Sequence, residues 1–208
     1  GEKLFMQNPT NGQWMLRDMY KPIAQLQDLK AFNILWNKLF RMDIIRMNGI
    51  TMDVSVTMGE DLLFIVDYLS RMKGGMAVTE KPLYRYTLSP SGLQVTANRG
   101  ETLILDLNHI NRLRTLFERN HYPLDAIYLE YIRYMYIFLR TSENTKRAVL
   151  SIRKCKEYQE LRQIHANLGL KYTIFIHLIA FAPITCLQVS INIFKVLKKT
   201  FGKNWTWN

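Results

Sequence analysis

The stretch MGEDLLFIVDYLSRMKGG, residues 58–75, predicts the element around which the first part of the chain is built. Its apolar residues recur at helical spacing, which predicts a buried helix of about three turns. These residues are Leu62, Leu63, Ile65, Val66 and Leu69. An acidic pair, Glu60 and Asp61, follows a glycine at the start of this helix. Carboxylates in a first helical turn complement the helix dipole and the unpaired amides, so capping is the simplest role for the pair.

The composition indicates a globular chain with few special chemical groups. It has 208 residues, of which 48% are hydrophobic and 12% aromatic, enough to bury one large or two small cores. The two cysteines, Cys155 and Cys186, lack a CxxC spacing, which predicts free thiols in a reducing compartment. The four histidines are scattered, so we predict no metal ligands in this chain.

The charge is strongly positive and unevenly distributed. The formal net charge is +11 and the isoelectric point is near 9.7, which favours an anionic partner. Residues 1–100 hold 12 basic and 9 acidic side chains, whereas residues 101–208 hold 16 and 8. The second half therefore carries most of the positive charge.

The sequence pattern changes near residue 100, and we place a domain boundary there. Residues 1–100 are mixed, and the alternation in MAVTEKPLYRYTLSPSGLQVT, residues 76–96, predicts short strands. Residues 101–208 are helical nearly throughout. We predict one helix ending near Asn120, a second opened by Pro123, a separator at residues 142–144, and a break near Lys156. The predicted class is α+β and predominantly helical.

Four short motifs follow one another between residues 33 and 86. They are LWNKLFRMDII (residues 35–45), GI (49–50), GEDLLF (59–64) and PLYRY (82–86). In this order, the chain resembles the acceptor-side half of a bacterial family-2 glycosyltransferase of the GT-A fold. Enzymes of this kind build polysaccharide and cell-wall glycans. The resemblance implies that residues 1–100 are the acceptor-side part of a GT-A type α/β domain, and that residues 101–208 are a helical region that follows it.

The resemblance implies roles for six residues. Asp61 becomes the general base that takes a proton from the acceptor hydroxyl, and Glu60 orients it or binds the acceptor. Trp36 stacks on a sugar ring, while Asn37 and Lys38 bind hydroxyls or phosphate. Arg85 clamps a diphosphate. The alternatives are capping for the acidic pair, core packing for Trp36, solvated side chains for Asn37 and Lys38, and a surface arginine on a strand for Arg85.

The donor-binding half of such an enzyme is missing from the sequence. No aspartate belongs to a DxD pair, and no apolar strand with a nucleotide-binding segment precedes the motifs. We therefore expect no cofactor in this chain, Mg²⁺ or Mn²⁺ in the full-length enzyme, and no sugar transfer by this chain alone. The expected partners of the full-length enzyme are a nucleotide sugar and a glycan or lipid-linked acceptor.

The C-terminal segment suggests contact with a membrane. Between Lys171 and Lys195, 23 residues carry no charge, and this stretch is core, interfacial or spanning. Residues 184–203 predict an amphipathic helix with lysines beside its polar face, which suits an anionic membrane surface. The predicted location is cytoplasmic, peripheral to the inner face of the cell membrane.

A different class of function remains open. The chain is alternatively a non-catalytic basic helical binding module for nucleic acid or a protein partner. Against nucleic acid, basic residues are spread over several predicted helices, and no aromatic–basic interleaving of the RNP type is present. We therefore expect no nucleic acid among the partners. The coding sequence upstream of Gly1 separates the two hypotheses, since a transferase requires a DxD cluster there.

Overall fold

The computed structural model describes residues 12–29, 31–56, 59–81, 83–85, 103–164, 168–187 and 189. Within these ranges the chain is predominantly helical, which confirms that part of the predicted class. The chain divides into two compact units. The first unit comprises residues 1–97 and 108–127, and the second unit comprises residues 98–107 and 128–208. The predicted functional boundary at residue 100 stays a prediction.

The strands of the first unit form one antiparallel pair. β1 (Gly12–Trp14) pairs with β2 (Met76–Val78), with Gln13 opposite Ala77. The strand prediction is confirmed for β2 but wrong for residues 83–85, which form no strand, and Arg85 is therefore not a strand residue. Residues 83–85 have no strand partner among the described residues, and alternation in sequence does not by itself create a ladder. The remainder of the predicted strand region, residues 86–96, lies outside the described residues.

The described N-terminal part contains three short α-helices, and the last of them is the helix predicted at the outset. A 3₁₀ turn (Leu16–Asp18) precedes α1 (Tyr20–Asp28), α2 (Met42–Asn48) and α3 (Glu60–Arg71). All five predicted apolar positions of α3 are buried, as is Tyr68. Gly49 ends α2 in the left-handed conformation, at φ 58°, and the next amide, of Ile50, donates to the Ile45 carbonyl.

An irregular segment, residues 31–41, is attached to α3 by aromatic and polar contacts. The Phe40 ring meets the rings of Phe64 and Tyr68 edge to face, at centroid distances of 5.4 and 4.9 Å. The Arg41 amide donates to the Tyr68 hydroxyl at 2.9 Å. Because that amide precedes the first turn of α2, the Tyr68 hydroxyl satisfies a donor that has no intrahelical acceptor.

Five longer or later helices follow. They are α4 (Leu103–Arg119), α5 (Asp125–Thr141), α6 (Thr145–Lys154), α7 (Lys156–Ile164) and α8 (Leu170–Phe181). The predicted helix end near Asn120 and the separator at 142–144 are confirmed, and the predicted break occurs at Cys155. Asn144 caps α6 by accepting a hydrogen bond from the Arg147 amide at 2.9 Å.

The second unit is held by packing among α6, α7 and α8, which contact one another. Its fully buried side chains include Ile152, Tyr158, Leu161, Ile176 and Ile179. The Tyr158 hydroxyl donates to the Ile176 carbonyl at 2.9 Å. The Arg153 guanidinium donates to the carbonyls of Ile179 and Ala182, at 2.7 and 3.1 Å, at the C-terminal end of α8. The Arg153 cation complements the negative end of the helix dipole.

Two predictions concern the C-terminal region. Both cysteines are free thiols, as predicted. The amphipathic helix predicted over residues 184–203 lies mostly outside the described residues, apart from residues 184–187 and 189. Among the helices described, none is long and apolar enough to cross a bilayer.

Candidate functional site

The N-terminus of α3 brings the acidic pair next to the LWNK motif. Gly59 precedes α3 in a left-handed conformation, at φ 93°. Glu60 and Asp61 are the first two residues of α3. The Asp61 carboxylate is half-buried, and its Oδ2 accepts a hydrogen bond from the Leu35 amide at 3.1 Å. The acidic pair and the LWNK motif are therefore neighbours in space, although 26 residues separate the bonded positions.

Only one Asp61 oxygen is used in this way. Its Oδ1 receives no hydrogen bond from the part of the chain that the structure describes. The backbone of α3 holds Asp61 at its Cα, and the Leu35 amide holds one of its carboxylate oxygens. The carboxylate is therefore kept at a fixed position. A carboxylate with one oxygen held by a backbone amide can accept a proton from a bound hydroxyl on its other oxygen.

Lys38 closes the loop that carries the LWNK motif. Its Nζ donates to the carbonyls of Ala31 and Ile34, at 2.7 and 2.6 Å, and to the Asn37 Oδ1 at 2.8 Å. Three acceptors match the three donors of a protonated ammonium. Burial lowers the pKa of Lys38 to about 7, and the negative charge of Asp61 acts in the opposite direction. Lys38 thus lies in the electrostatic field of Asp61.

Asn37 takes part in the same loop. Its Nδ2 donates to the Ala31 carbonyl at 3.0 Å, while its Oδ1 accepts from Lys38. The side chain is exposed, but both ends of its amide are engaged within residues 31–38. The polar groups of Asn37 and Lys38 therefore shape the loop on which Trp36 is presented.

Trp36 connects the first motif with the last. Its ring stacks on Tyr84 of PLYRY, with centroids 4.9 Å apart and an interplanar angle of 29°. Tyr84 is 53% exposed and Trp36 is half-buried, so the pair forms a partly open aromatic surface. Arg85 is exposed next to it, and makes no hydrogen bond or ion pair with the residues described. Segments from three of the four motifs are thus linked by contacts within the first unit.

His109 is a neighbour of the acidic pair that sequence reasoning did not identify. A Cβ added to Gly59 would overlap Nδ1 of the His109 ring, so the imidazole lies directly against the residue that precedes α3. Burial and the positive charge of Arg112 lower the pKa of His109, while Glu60 and Asp53 act to raise it. No local signal marks this histidine, because its position on α4 meets Gly59 only through tertiary packing.

The second unit has a cationic concavity along α6. It measures about 320 Å³ and is open to solvent. Three of its six lining side chains are basic, and the lining residues are Asn144, Lys146, Arg147, Leu150, Ser151 and Lys154. Lys146, Arg147 and Lys154 form no ion pair with any residue in the described ranges. Lys146 and Arg147 lie in the first turn of α6, where cations oppose the helix dipole, so an anion bound there would relieve repulsion.

The described residues offer no ready metal site. They include no group of three or more histidine, cysteine, aspartate or glutamate side chains placed to hold an ion. The metal expected for a full-length transferase therefore has no set of ligands in this part of the chain.

Comparison with known proteins assigns no family. No protein-family model, curated protein or solved structure matches the chain.

Proposed function

We propose that this chain is the acceptor-binding, base-carrying part of an inverting family-2 glycosyltransferase of the GT-A fold. In this proposal a sugar passes from a nucleotide sugar to a glycan or lipid-linked acceptor in bacterial polysaccharide or cell-wall synthesis. The observation that carries the proposal is the position of Asp61, whose carboxylate is hydrogen-bonded to the backbone of the LWNK motif at 3.1 Å. The stacking of Trp36 on Tyr84 supports it.

The proposed chemistry is a single displacement. The oxygen of an acceptor hydroxyl forms a bond to the anomeric carbon, the bond from that carbon to the diphosphate breaks, and the nucleoside diphosphate leaves with the electron pair. Asp61 takes the hydroxyl proton as the new bond forms. Asp61 lies in the first turn of α3, close to the unpaired amides at the start of the helix.

The other residues act by positioning. The Trp36–Tyr84 surface suits the apolar face of a sugar ring. Glu60 orients the acceptor or Asp61, and Arg85, exposed beside Tyr84, faces a diphosphate group. Asn37 and Lys38 act mainly by holding the loop, because their polar groups already bind main-chain carbonyls and each other.

The remaining partners complete the proposal. Mg²⁺ or Mn²⁺ and the nucleotide belong to a donor-binding half, since the described residues lack a suitable ligand group. The proposal also includes contact of residues 184–203 with an anionic membrane surface, and a location in the cytoplasm at the inner face of the membrane. An open reading frame upstream of Gly1 that encodes a DxD cluster is the first requirement of the proposal.

The decisive experiment measures transfer by the enzyme that contains this chain. We expect Asp61→Asn to lower kcat by about 100- to 10,000-fold, because it removes the general base. An asparagine oxygen can still accept from the Leu35 amide, so the loop should stay in place. Donor binding should be nearly unchanged. Asp67→Asn is the matched control, because Asp67 is an exposed carboxylate on the same helix. Normal turnover in Asp61→Asn excludes Asp61 as the base.

The isolated chain offers a second test. We expect titration calorimetry with common nucleotide sugars and Mn²⁺ to show weak binding or none, because a diphosphate without a bridging cation meets only separate basic side chains. A metal-dependent dissociation constant in the micromolar range would instead show that the chain contains a donor site.

The cationic concavity of α6 favours the alternative function, a basic helical module that binds nucleic acid or an acidic protein. The concavity holds three cations without an acidic partner in the part of the chain described. If this function is the right one, replacing Lys146, Arg147 and Lys154 with glutamine should abolish binding to a single-stranded oligonucleotide or an acidic peptide. Asp61→Asn should leave that binding unchanged.

A further inference from the structure

The second unit exposes a stripe of large apolar side chains along α8. Four residues at helical spacing form it, and their exposed fractions are 77% for Leu170, 50% for Ile174, 50% for Leu178 and 72% for Phe181. Residues at these spacings lie on one face of a helix. Isolated exposed apolar residues are common, but four of them in a continuous row mark a surface that is covered in use.

The opposite face of α8 is fixed to the rest of the second unit. Phe175, Ile176 and Ile179 are buried, and the Phe175 ring meets Tyr136 at a centroid distance of 6.3 Å. The hydrogen bonds from Tyr158 and Arg153 to main-chain carbonyls of α8 and Ala182 hold the helix further. The exposed stripe is therefore presented by a helix that is already folded and anchored.

Two basic residues, Arg162 and Lys171, lie near the two ends of the stripe. The Arg162 guanidinium lies 5.9 Å from the centroid of the Phe181 ring, and Lys171 lies in the first turn of α8. From residue 161 to residue 208 the sequence contains no aspartate or glutamate, but six lysines and arginines. An apolar stripe within a basic segment that lacks acidic residues is complementary to a partner with a negatively charged surface layer and an apolar interior beneath it.

We infer that the α8 stripe docks on the surface of a bilayer containing anionic phospholipid, with the helix axis in the membrane plane. A helix of 12 residues is about 18 Å long, too short for a hydrocarbon core of about 30 Å, so it lies at the interface. Leu170, Ile174, Leu178 and Phe181 enter the acyl boundary, while Arg162 and Lys171 bind lipid phosphates. A second copy of the chain is disfavoured as the occupant, because pairing would bring two acid-free basic segments together.

This inference concerns α8, not residues 184–203, and does not depend on glycosyl transfer. The test uses co-sedimentation of the whole chain with vesicles of phosphatidylcholine alone, and with vesicles of phosphatidylcholine and phosphatidylglycerol in a two-to-one ratio. We expect binding to the mixed vesicles that weakens as salt rises, and much weaker binding to phosphatidylcholine.

The variant that tests the stripe is Ile174→Gln with Leu178→Gln. We expect its association constant for mixed vesicles to fall at least about tenfold, because two branched aliphatic side chains no longer enter the acyl boundary. Met47→Gln is the matched control, since Met47 is 76% exposed on α2, in the first unit. Arg162→Gln should weaken binding to mixed vesicles only, and Arg46→Gln on α2 should leave it unchanged.

A second readout does not depend on the folding of that double variant. In a chain with both natural cysteines replaced by serine, Leu178→Cys carries an environment-sensitive fluorophore, and Met47→Cys carries it in the control. Mixed vesicles should shift the emission to the blue at position 178 but not at position 47.

Three results overturn the inference. In the first, the native chain does not bind mixed vesicles. In the second, the double variant still binds them and the label at position 178 shows no blue shift. In the third, the native chain forms a concentration-dependent dimer that the double variant abolishes. The last result would assign the stripe to a second copy of the chain.

Discussion

Two regions of the molecule are stabilised in different ways. One is the segment of residues 31–41 with α3, in the first unit, and the other is the group of helices α6–α8, in the second. The first region is an irregular segment whose amides and carbonyls are satisfied by side chains, among them Asp61, Tyr68 and Lys38. The second consists of regular helices whose apolar faces pack together, with Ile152 fully buried among them. Regular helices satisfy most of their own backbone groups, whereas an irregular segment needs partners from elsewhere in the fold.

This difference bears on the proposed site. Polar side chains that support an irregular backbone are held at fixed positions by more than one contact, and such positions suit binding and proton transfer. Packed helices instead supply surfaces, such as the stripe of α8.

Ile152→Ala tests the dependence of α6–α8 on apolar packing. Ile152 is fully buried, so we expect the free energy of unfolding to fall by about 3 kcal/mol, from lost transfer energy and the cavity left behind. Denaturant unfolding followed by circular dichroism measures it. Leu150→Ala on the same helix is the control, since Leu150 is 39% exposed and should cost less than about 1 kcal/mol. Equal losses for the two variants would contradict tight packing of this region.

Gly59→Ala tests the backbone that presents the acidic pair. We expect a loss of about 2 kcal/mol in unfolding free energy, because the left-handed φ of 93° is unfavourable for alanine and its Cβ meets His109. Gly49→Ala isolates the conformational cost, since Gly49 has φ 58° and open space around it, and it should lose about 1 kcal/mol.

The contribution of the His109 contact follows from a double variant. We expect Gly59→Ala to cost less unfolding free energy in a chain that already carries His109→Ala than in the native chain, because the imidazole that the new Cβ meets is then absent. Strict additivity of the two substitutions would show that the imidazole does not press on Gly59.

Removing one tyrosine hydroxyl from each region allows a direct comparison of how much a side-chain hydrogen bond contributes to stability there. Tyr158→Phe removes a buried donor to the Ile176 carbonyl, and Tyr68→Phe removes an acceptor for the Arg41 amide. We expect each change to cost about 1 kcal/mol, with the larger loss for Tyr158 because its bond is more deeply buried. Chemical denaturation of both variants measures the difference. A larger loss for Tyr68→Phe would show that the irregular segment depends more strongly on this hydrogen bond than α8 depends on the hydrogen bond from Tyr158.

The smallest expected effect is a pH dependence through His109. Burial lowers the pKa of His109 below its ordinary value of 6.5. As the pH falls through about 6.5, the unfolded chain binds a proton that the folded chain does not, so this group makes folding less stable towards acid. We expect His109→Gln to reduce the loss of unfolding free energy between about pH 7.5 and about pH 5. An unchanged pH profile in the variant would place the titration elsewhere.

Helical spacing was sufficient to predict much of the secondary structure. The buried face of α3, the end of α4, the separator before α6 and the break before α7 follow from the local order of apolar, capping and turn residues. Strand prediction was less successful, because only residues 76–78 of the predicted region pair among those described. A strand needs a partner, and alternation in sequence does not supply one.

Local sequence patterns predicted α3 and most of the later helices, the position of Asp61 in a first helical turn, and the concentration of positive charge in the second half. Only the tertiary structure decided that Asp61 meets Leu35, that Trp36 meets Tyr84, and that His109 lies against Gly59. The tertiary structure also decided which face of α8 is buried, because apolar residues are distributed all around that helix and their spacing does not favour one face. Helical periodicity comes from neighbours a few residues apart, whereas these contacts join positions far apart in the chain, whose meeting depends on how all the elements pack.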